Sequence, residues 1–413
     1  MSVSQAELLA LDRDDPLAGF RDEFQLEADL IYLDGNSLGP LLNSVALRVS
    51  EVVTDEWGRG LIRSWNQHDW IGLPQRIGDK IAPLIGASPG EVVAADSTSV
   101  NLFKLLAAGL QLNPDRNVVL SAADNFPTDL YMAQGLAELL GGDRCRLQLA
   151  EPEDVVTAID ARTAIVMLTH VDFRSGRMFD MRSVTEAAHD HGALVLWDLS
   201  HSAGALPLAV DECGVDLAVG CGYKFLNGGP GAPAFVFVAE RHQPYLRQPL
   251  AGWMGHAEPF TFSPGYVPAA GTNRFLSGTP SVIAHAALDA ALDVWQHVDL
   301  ALVREKSIKL GECLIGLVED EPCLEEIALC SPRDGRQRGS QVSFSHPEGY
   351  AIMQALIEQS VIGDFREPDL LRFGLTPLYT RYADIGEAVN RLAGIVTSKR
   401  YQEPRFQLRN AVT

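Results

Sequence analysis

The stretch Asp216-Leu-Ala-Val-Gly-Cys-Gly-Tyr-Lys-Phe-Leu-Asn-Gly-Gly-Pro-Gly-Ala-Pro-Ala-Phe-Val-Phe-Val238 sets one lysine, Lys224, between two apolar runs. Leu217-Ala-Val-Gly220 and Ala234-Phe-Val-Phe-Val238 are short and free of polar residues, as suits strands covered on both faces. Lysine is almost never fully buried without a partner, so one lodged between two core strands needs a reason. It is either a surface lysine on a loop or a half-buried amine that attacks a carbonyl carbon to form a Schiff base. The small residues that follow would let a ligand approach the backbone. Gly228-Gly-Pro-Gly231 lacks both G-x-G-x-x-G spacing and a Walker lysine, so it is not a nucleotide loop.

Three more runs share this character: Val118-Val-Leu-Ser121, Ala164-Ile-Val-Met-Leu168 and Ala193-Leu-Val-Leu-Trp-Asp198. Helical patterns fit between several of them. The clearest is predicted to start at Ser183, in a capping box with Glu186, and to stop at Gly192. The 26 residues from Asp198 to Lys224 leave room for a helix and a strand. Alternation from about 45 to 290 predicts an open α/β domain on a mostly parallel sheet. Residues 1–30 read as an acidic amphipathic helix and a connector, and Leu30 to Pro40 as a short strand entering a turn. A long helix near 282–318 leads into a smaller α+β unit, with strands at Gly339–Phe344 and Leu371–Leu375 and helices near 348–359 and 382–398. The expected domains are an N-terminal arm (1–44) contributing to the small domain, a large α/β domain (45–295) and a small C-terminal α+β domain (296–413).

The chain has 413 residues, 46% of them hydrophobic, enough for a large core. Its net charge of −21 opposes binding to nucleic acid or an anionic membrane, and any anionic ligand must be held by local donors. The six cysteines are scattered, with no CxxC and no Cys/His cluster. That predicts reduced, mostly buried thiols and no metal site. The N-terminus shows neither the basic nor the apolar part of a signal peptide, so a cytoplasmic protein is expected. No apolar run is long enough to span a membrane. H-E-x-x-H and G-x-S-x-G are both missing, so zincin and α/β-hydrolase readings lack support.

In an open α/β sheet, ligands sit outside the C-terminal ends of the strands, and four polar clusters lie at such ends. Asp96-Ser-Thr-Ser-Val-Asn-Leu-Phe-Lys104 exposes a helix N-terminus with Ser97 and Thr98, either an ordinary N-cap or an anion seat. In Asp124-Asn-Phe-Pro-Thr-Asp129, Phe126 could lie flat on an aromatic cofactor and Asp129 could bond in the same place; the plainer reading is a turn with Pro127 opening a helix. In Trp197-Asp-Leu-Ser-His-Ser-Ala-Gly204, Asp198 ends a core strand, where a carboxylate is costly unless it meets a cation such as a pyridinium nitrogen. His201 follows on the loop, as a pocket residue or a satisfied core histidine. Lys224, with Tyr223 beside it, is the fourth. A cation for the aldehyde carbon, an anion for the ring nitrogen and donors for the phosphate are the anchors that pyridoxal 5'-phosphate needs.

These residues resemble the kynureninase family, on Leu33-Asp-Gly-Asn-Ser-Leu-Gly-Pro40, Asp96 to Asn101, Asn125 to Asp129, Trp197 to Gly204, Gly222 to Gly231, Gly252-Trp-Met-Gly-His256 and Arg372-Phe-Gly-Leu-Thr-Pro-Leu-Tyr379. The match runs in order from about residue 30 to 380. It implies a fold-type-I pyridoxal phosphate enzyme, a homodimer with shared active sites, and hydrolysis of L-kynurenine to anthranilate and L-alanine in tryptophan catabolism. By resemblance, Lys224 is the Schiff-base lysine, Asp198 the ring-nitrogen partner and Phe126 the stacking ring. Ser97, Thr98, Asp129, His201 and Tyr223 are cofactor contacts, and Tyr223 is the candidate for proton transfer at the γ-oxygen. Trp253 and Thr279 reach the phosphate from the neighbouring subunit. Ser37 and Trp65 face the aromatic end of the substrate, and Arg372 clamps its carboxylate, if it is not simply a surface ion pair. Animal members carry asparagine where this chain has Gly278, so 3-hydroxykynurenine is the expected poorer substrate.

Two other readings stay open. One is a cysteine desulfurase or related lyase of the same fold, since Ser277-Gly-Thr-Pro280 resembles a desulfurase element. It needs a nucleophilic cysteine on a mobile loop, and Cys323 or Cys330 would have to serve. The other is a regulatory protein that binds the cofactor without catalysis, which the missing DNA-binding module and the −21 charge oppose.

Overall fold

The computed structural model describes residues 4–409. The chain divides into two compact units. One holds Val45–Asp172 and Phe179–Gln296; the other holds the residues up to Ser44, the segment Phe173–Met178 and the residues from His297 on.

The first unit is built on a seven-stranded sheet. Across it the strands run in the order Val92–Ala95, Ala234–Val238, Leu217–Gly220, Leu194–Asp198, Thr163–Thr169, Val118–Ala122 and Arg146–Ala150. Ala234–Val238 is antiparallel to both neighbours and every other pairing is parallel. The expected mostly parallel α/β sheet is therefore present, and its five apolar runs are all strands. The pattern missed two edge strands. Arg146–Ala150 is partly exposed and carries Arg146 and Gln148, so no continuous apolar run marks it. Val92–Ala95 is buried, but its four small residues suit a helix equally well. Leu102, Leu105 and Leu106 of the helix Thr98–Leu112 pack with Val93, Val119, Ile165 and Leu196 of the sheet.

Three local expectations need correction. The helix expected from Ser183 spans Met181–Asp190, and Asp180 caps it by accepting from the Ser183 N–H at 3.0 Å. An ionised carboxylate one turn earlier outcompetes the serine hydroxyl for the same free amides. No helix joins Asp198 to Lys224: residues 199–216 are turns and irregular chain. Gly204 and Gly214 take positive φ there (78° and 70°), where a helix cannot continue. The long helix near 282–318 is Val282–Leu292, a 3-10 turn at Asp293–His297, and Leu300–Asp320. Asp299 starts the second helix by accepting from the Ala301 N–H at 2.8 Å.

The second unit has a four-stranded antiparallel sheet in the order Asp364–Arg366, Leu370–Gly374, Gln341–Ser345, Ala328–Leu329. Ile31–Tyr32 pairs in parallel with Val361–Ile362. Helices Leu300–Asp320, Gly349–Glu358 and Tyr382–Ser398 cover the sheet, and their inward faces share one core with Val342, Phe344, Leu371 and Phe373. Leu8, from the helix Gln5–Arg13, joins that core.

Candidate active site

Because the strands of the large sheet run the same way, apart from Ala234–Val238, their C-terminal ends share one edge. Asp198 is the last residue of its strand and lies in register with Thr169 on one side and Val219 on the other. The four polar clusters all leave from this edge.

Asp198 and Asp129 are both buried. Asp198 accepts from the Ser200 N–H at 2.8 Å, and Asp129 accepts from the Thr169 hydroxyl at 3.3 Å. Burial pushes the Asp198 carboxyl up, while Lys224 and the Ser200 bonds pull it back. Burial pushes Asp129 well above the usual carboxylate range, and the negative Asp198 beside it pushes it further; the Thr169 bond and Lys224 oppose this. Two buried carboxyls thus share one lysine as their cation. A second positive group, such as a protonated ring nitrogen at Asp198, would balance the set.

Lys224 is half-buried, and its Nζ lies 5.9 Å from the ring centres of both Phe126 and Tyr223. Phe126 precedes Pro127, the first residue of the helix Pro127–Leu140, and its ring is partly exposed. Burial raises the Tyr223 phenol, and the nearby Cys221 and Asp198 raise it further, so it is a proton donor at neutral pH. His201 is buried in the loop after Asp198. Ser97 is the N-cap of Thr98–Leu112, accepting from the Val100 N–H, and it is exposed with Thr98 half-exposed beside it. An open helix N-terminus with two hydroxyls can hold a dianion.

Of the glycines after Lys224, Gly229 and Gly231 face open space, as a close approach to the backbone requires, whereas Gly228, like Gly222 before the lysine, does not. A Cβ on Gly222 would meet the Pro233 carbonyl at 2.5 Å, and one on Gly228 would meet the Gly222 carbonyl at 2.8 Å. These two make room for the chain's own backbone rather than for a ligand; the Gly228 N–H donates to the Gly222 carbonyl at 2.8 Å.

Trp65 meets Trp70 edge-on at 5.8 Å. Trp253 packs between Phe260 and Phe262, and Thr279 is exposed. Sequence reasoning missed Thr169 and Asn125. The Asn125 side chain accepts from the Thr169 N–H at 3.0 Å and donates to the Ser121 hydroxyl at 2.9 Å, tying two strand ends together. Their signal was position, each lying at or just beyond the end of a core strand.

In the second unit, Ser37 and Arg372 do come together. Arg372 is 2% exposed, so it is not a surface ion pair. Its Nε donates to Asp364 Oδ1 at 2.7 Å and its Nη2 to Asp364 Oδ2. Nη2 also donates to the Ser37 hydroxyl at 2.9 Å and Nη1 to the Phe173 carbonyl at 2.6 Å. Arg366 pairs with the same Asp364 at 2.7 Å. Burial, with Asp364 as a like charge nearby, pushes the Asp34 carboxyl up to about 7. Asp364 and Arg372 are cross-strand partners in register, a pairing that no local sequence pattern reveals.

Residues 303–392 match the family model described as the kynureninase C-terminal domain, and residues 75–207 match the DegT/DnrJ/EryC1/StrS aminotransferase family. A kynureninase of Burkholderia pseudomallei (strain 1106a) is 50% identical, over 99% of this chain and 100% of its own. A kynureninase of Pseudomonas fluorescens is 47% identical over 100% of both chains. Among solved structures, a C-DES mutant with glycine covalently linked to the PLP cofactor superposes with a TM-score of 0.78 at 21% identity, covering 90% of this chain and 98% of that one. The apo cysteine desulfurase of Thermococcus onnurineus NA1 superposes with a TM-score of 0.78 at 18% identity, covering 92% and 98%. At such identities these structures speak for the fold alone, which is that of the fold-type-I pyridoxal phosphate enzymes.

Proposed function

We infer, from a chain that belongs to the kynureninase family, that this protein is a pyridoxal-phosphate-dependent hydrolase of carbon–carbon bonds, converting L-kynurenine to anthranilate and L-alanine. The observation that carries the reading is identity near one half over the full length of both relatives. When bound, pyridoxal phosphate supplies an electrophilic carbonyl carbon and a sink for electrons.

The chain's own residues supply the rest. Ser97 and Thr98, with the free N–H groups of their helix, donate to the phosphate. Phe126 covers one face of the ring. Asp198 holds a proton on the ring nitrogen, and the buried Asp129 and His201 bond at the same ring. Lys224 would hold the cofactor through Nζ, and its amine would take the proton from the substrate Cα. Tyr223 would give its phenolic proton to the γ-oxygen as water adds to the γ-carbon, and would recover a proton from that water. Arg372 offers the substrate carboxylate its fifth N–H, since four are engaged within the protein. Ser37 and Trp65 bound the aryl end. Trp253 and Thr279 would serve the phosphate of a second copy, as in the family, so the working form is a homodimer. Scattered free thiols suit a reducing compartment, the cytoplasm.

The test is anthranilate fluorescence after adding L-kynurenine to the cofactor-loaded protein, with 3-hydroxykynurenine run beside it. Rapid release, faster from the unsubstituted ring, is expected. No release, together with sulfide from cysteine, would move the assignment to the desulfurase reading.

A further inference from the structure

Lys104 is fully buried, at 0% exposure, on the helix face opposite the one that carries Leu102, Leu105 and Leu106, in a helix buried on both sides. Its Nζ donates to the Asp96 carboxylate and, at 2.5 Å, to the Phe275 carbonyl. Replacing a buried ion pair by apolar side chains of similar size is often neutral or stabilising, so a Lys–Asp pair on this face is not explained by stability.

Its position offers a reason. Asp96 immediately precedes Ser97, the N-cap of the helix, and its backbone is held at a φ of +43°. The side chain is 35% exposed, which leaves a carboxylate at the mouth of the seat that takes a phosphate. An uncompensated carboxylate there would repel a dianion. Phe275, the other partner, lies four residues before Thr279, the second segment read as a phosphate contact. Lys104 therefore ties, from the buried side, the backbone that leads into Ser97 to the segment that leads to Thr279, which is read as serving the phosphate of a second copy.

We propose that Lys104 is a positioning residue that masks the Asp96 charge beneath the phosphate seat and so sets the preference of this site for a phosphorylated cofactor. The inference rests on the reading of the site as one for pyridoxal phosphate. It predicts a change in selectivity rather than a uniform loss of binding.

The experiment compares pyridoxal phosphate with pyridoxal, which lacks the phosphate, by titrating each into apoprotein and following the visible absorbance of the bound cofactor. Wild type should prefer the phosphorylated form. Lys104→Met should lower that preference by about tenfold, the order expected of one unmasked charge near the phosphate. Lys104→Met with Asp96→Asn should recover most of it. If Lys104→Met does not fold, Asp96→Asn decides alone: asparagine tolerates the left-handed backbone, and the preference should hold or rise. An unchanged ratio in Lys104→Met, a double variant no better than the single, or a fall in Asp96→Asn would overturn the proposal. A wild type that takes up neither compound would instead overturn the cofactor reading.

Discussion

Asp364→Ala tests how Arg372 is held. The carboxylate accepts twice from Arg372, once from the Ser37 hydroxyl at 2.8 Å and once from Arg366. Arg366 is 38% exposed, so water replaces much of what it loses. Arg372 and Asp364 are each 2% exposed, and removing one partner of a buried pair costs about 3–5 kcal/mol because the other charge stays buried. Asp34 can partly take over the partnership, so the loss should fall near the lower end. A second signature follows from pH. A carboxyl raised to about 7 contributes stability that is complete below the unfolded carboxylate pKa and is lost as pH rises through 7. Without the like charge of Asp364, Asp34 titrates lower and that dependence shrinks. Urea unfolding of wild type, Asp364→Asn and Asp364→Ala at several pH values reads both effects, and the alanine variant should also show a raised KM for kynurenine. A loss below about 1 kcal/mol, with the two variants indistinguishable, would refute the buried-pair account.

Lys224→Ala should abolish turnover, and borohydride should no longer fix the cofactor to the protein; retention of near-native turnover would remove Lys224 from the chemistry. Asp216 accepts from His189, His242, Arg241 and the Val195 N–H. Burial alone would raise its carboxyl, but these bonds hold it far below the usual carboxylate range. Its contribution is present above the unfolded carboxylate pKa and is lost on acidification below it. The His189 imidazole is raised by the same bond, so its contribution is present at low pH and is lost as pH rises through its folded value. Asp216→Asn should flatten both flanks of the stability–pH curve, and unchanged flanks would show that other groups set them.

What the sequence made legible was local. Asp198 at the end of Leu-Val-Leu-Trp, Lys224 between two apolar runs and Pro127 opening a helix are each read from a few neighbours, and each stands where its pattern puts it. Asp180 displaced Ser183 as a cap because two good caps lay within one turn, and pattern alone does not rank them. The helix near 282–318 broke because Asp299 competes for backbone amides inside an otherwise continuous periodicity. Contacts across the chain were not legible. Arg372 was singled out, but Asp364, which orients it, is joined to it only by antiparallel register. Lys104 stood within a quoted motif, yet nothing nearby announced Phe275 as its partner.

The reversed strand Ala234–Val238 has a consequence for biosynthesis. Val92–Ala95 lies at the edge of the large sheet, and Ala234–Val238 is its neighbour there, with Ala95 opposite Ala234. As the chain leaves the ribosome, the strand that leads into Ser97 and Thr98 must wait for everything between to be made before it can dock. Closing so long a loop is entropically slow, and until then an apolar strand has no sheet to join. The helix N-terminus at Ser97 and Thr98 is therefore among the first parts of its unit to be synthesised and among the last to be completed. Chaperone engagement, or capture by free cofactor, should fall in that interval.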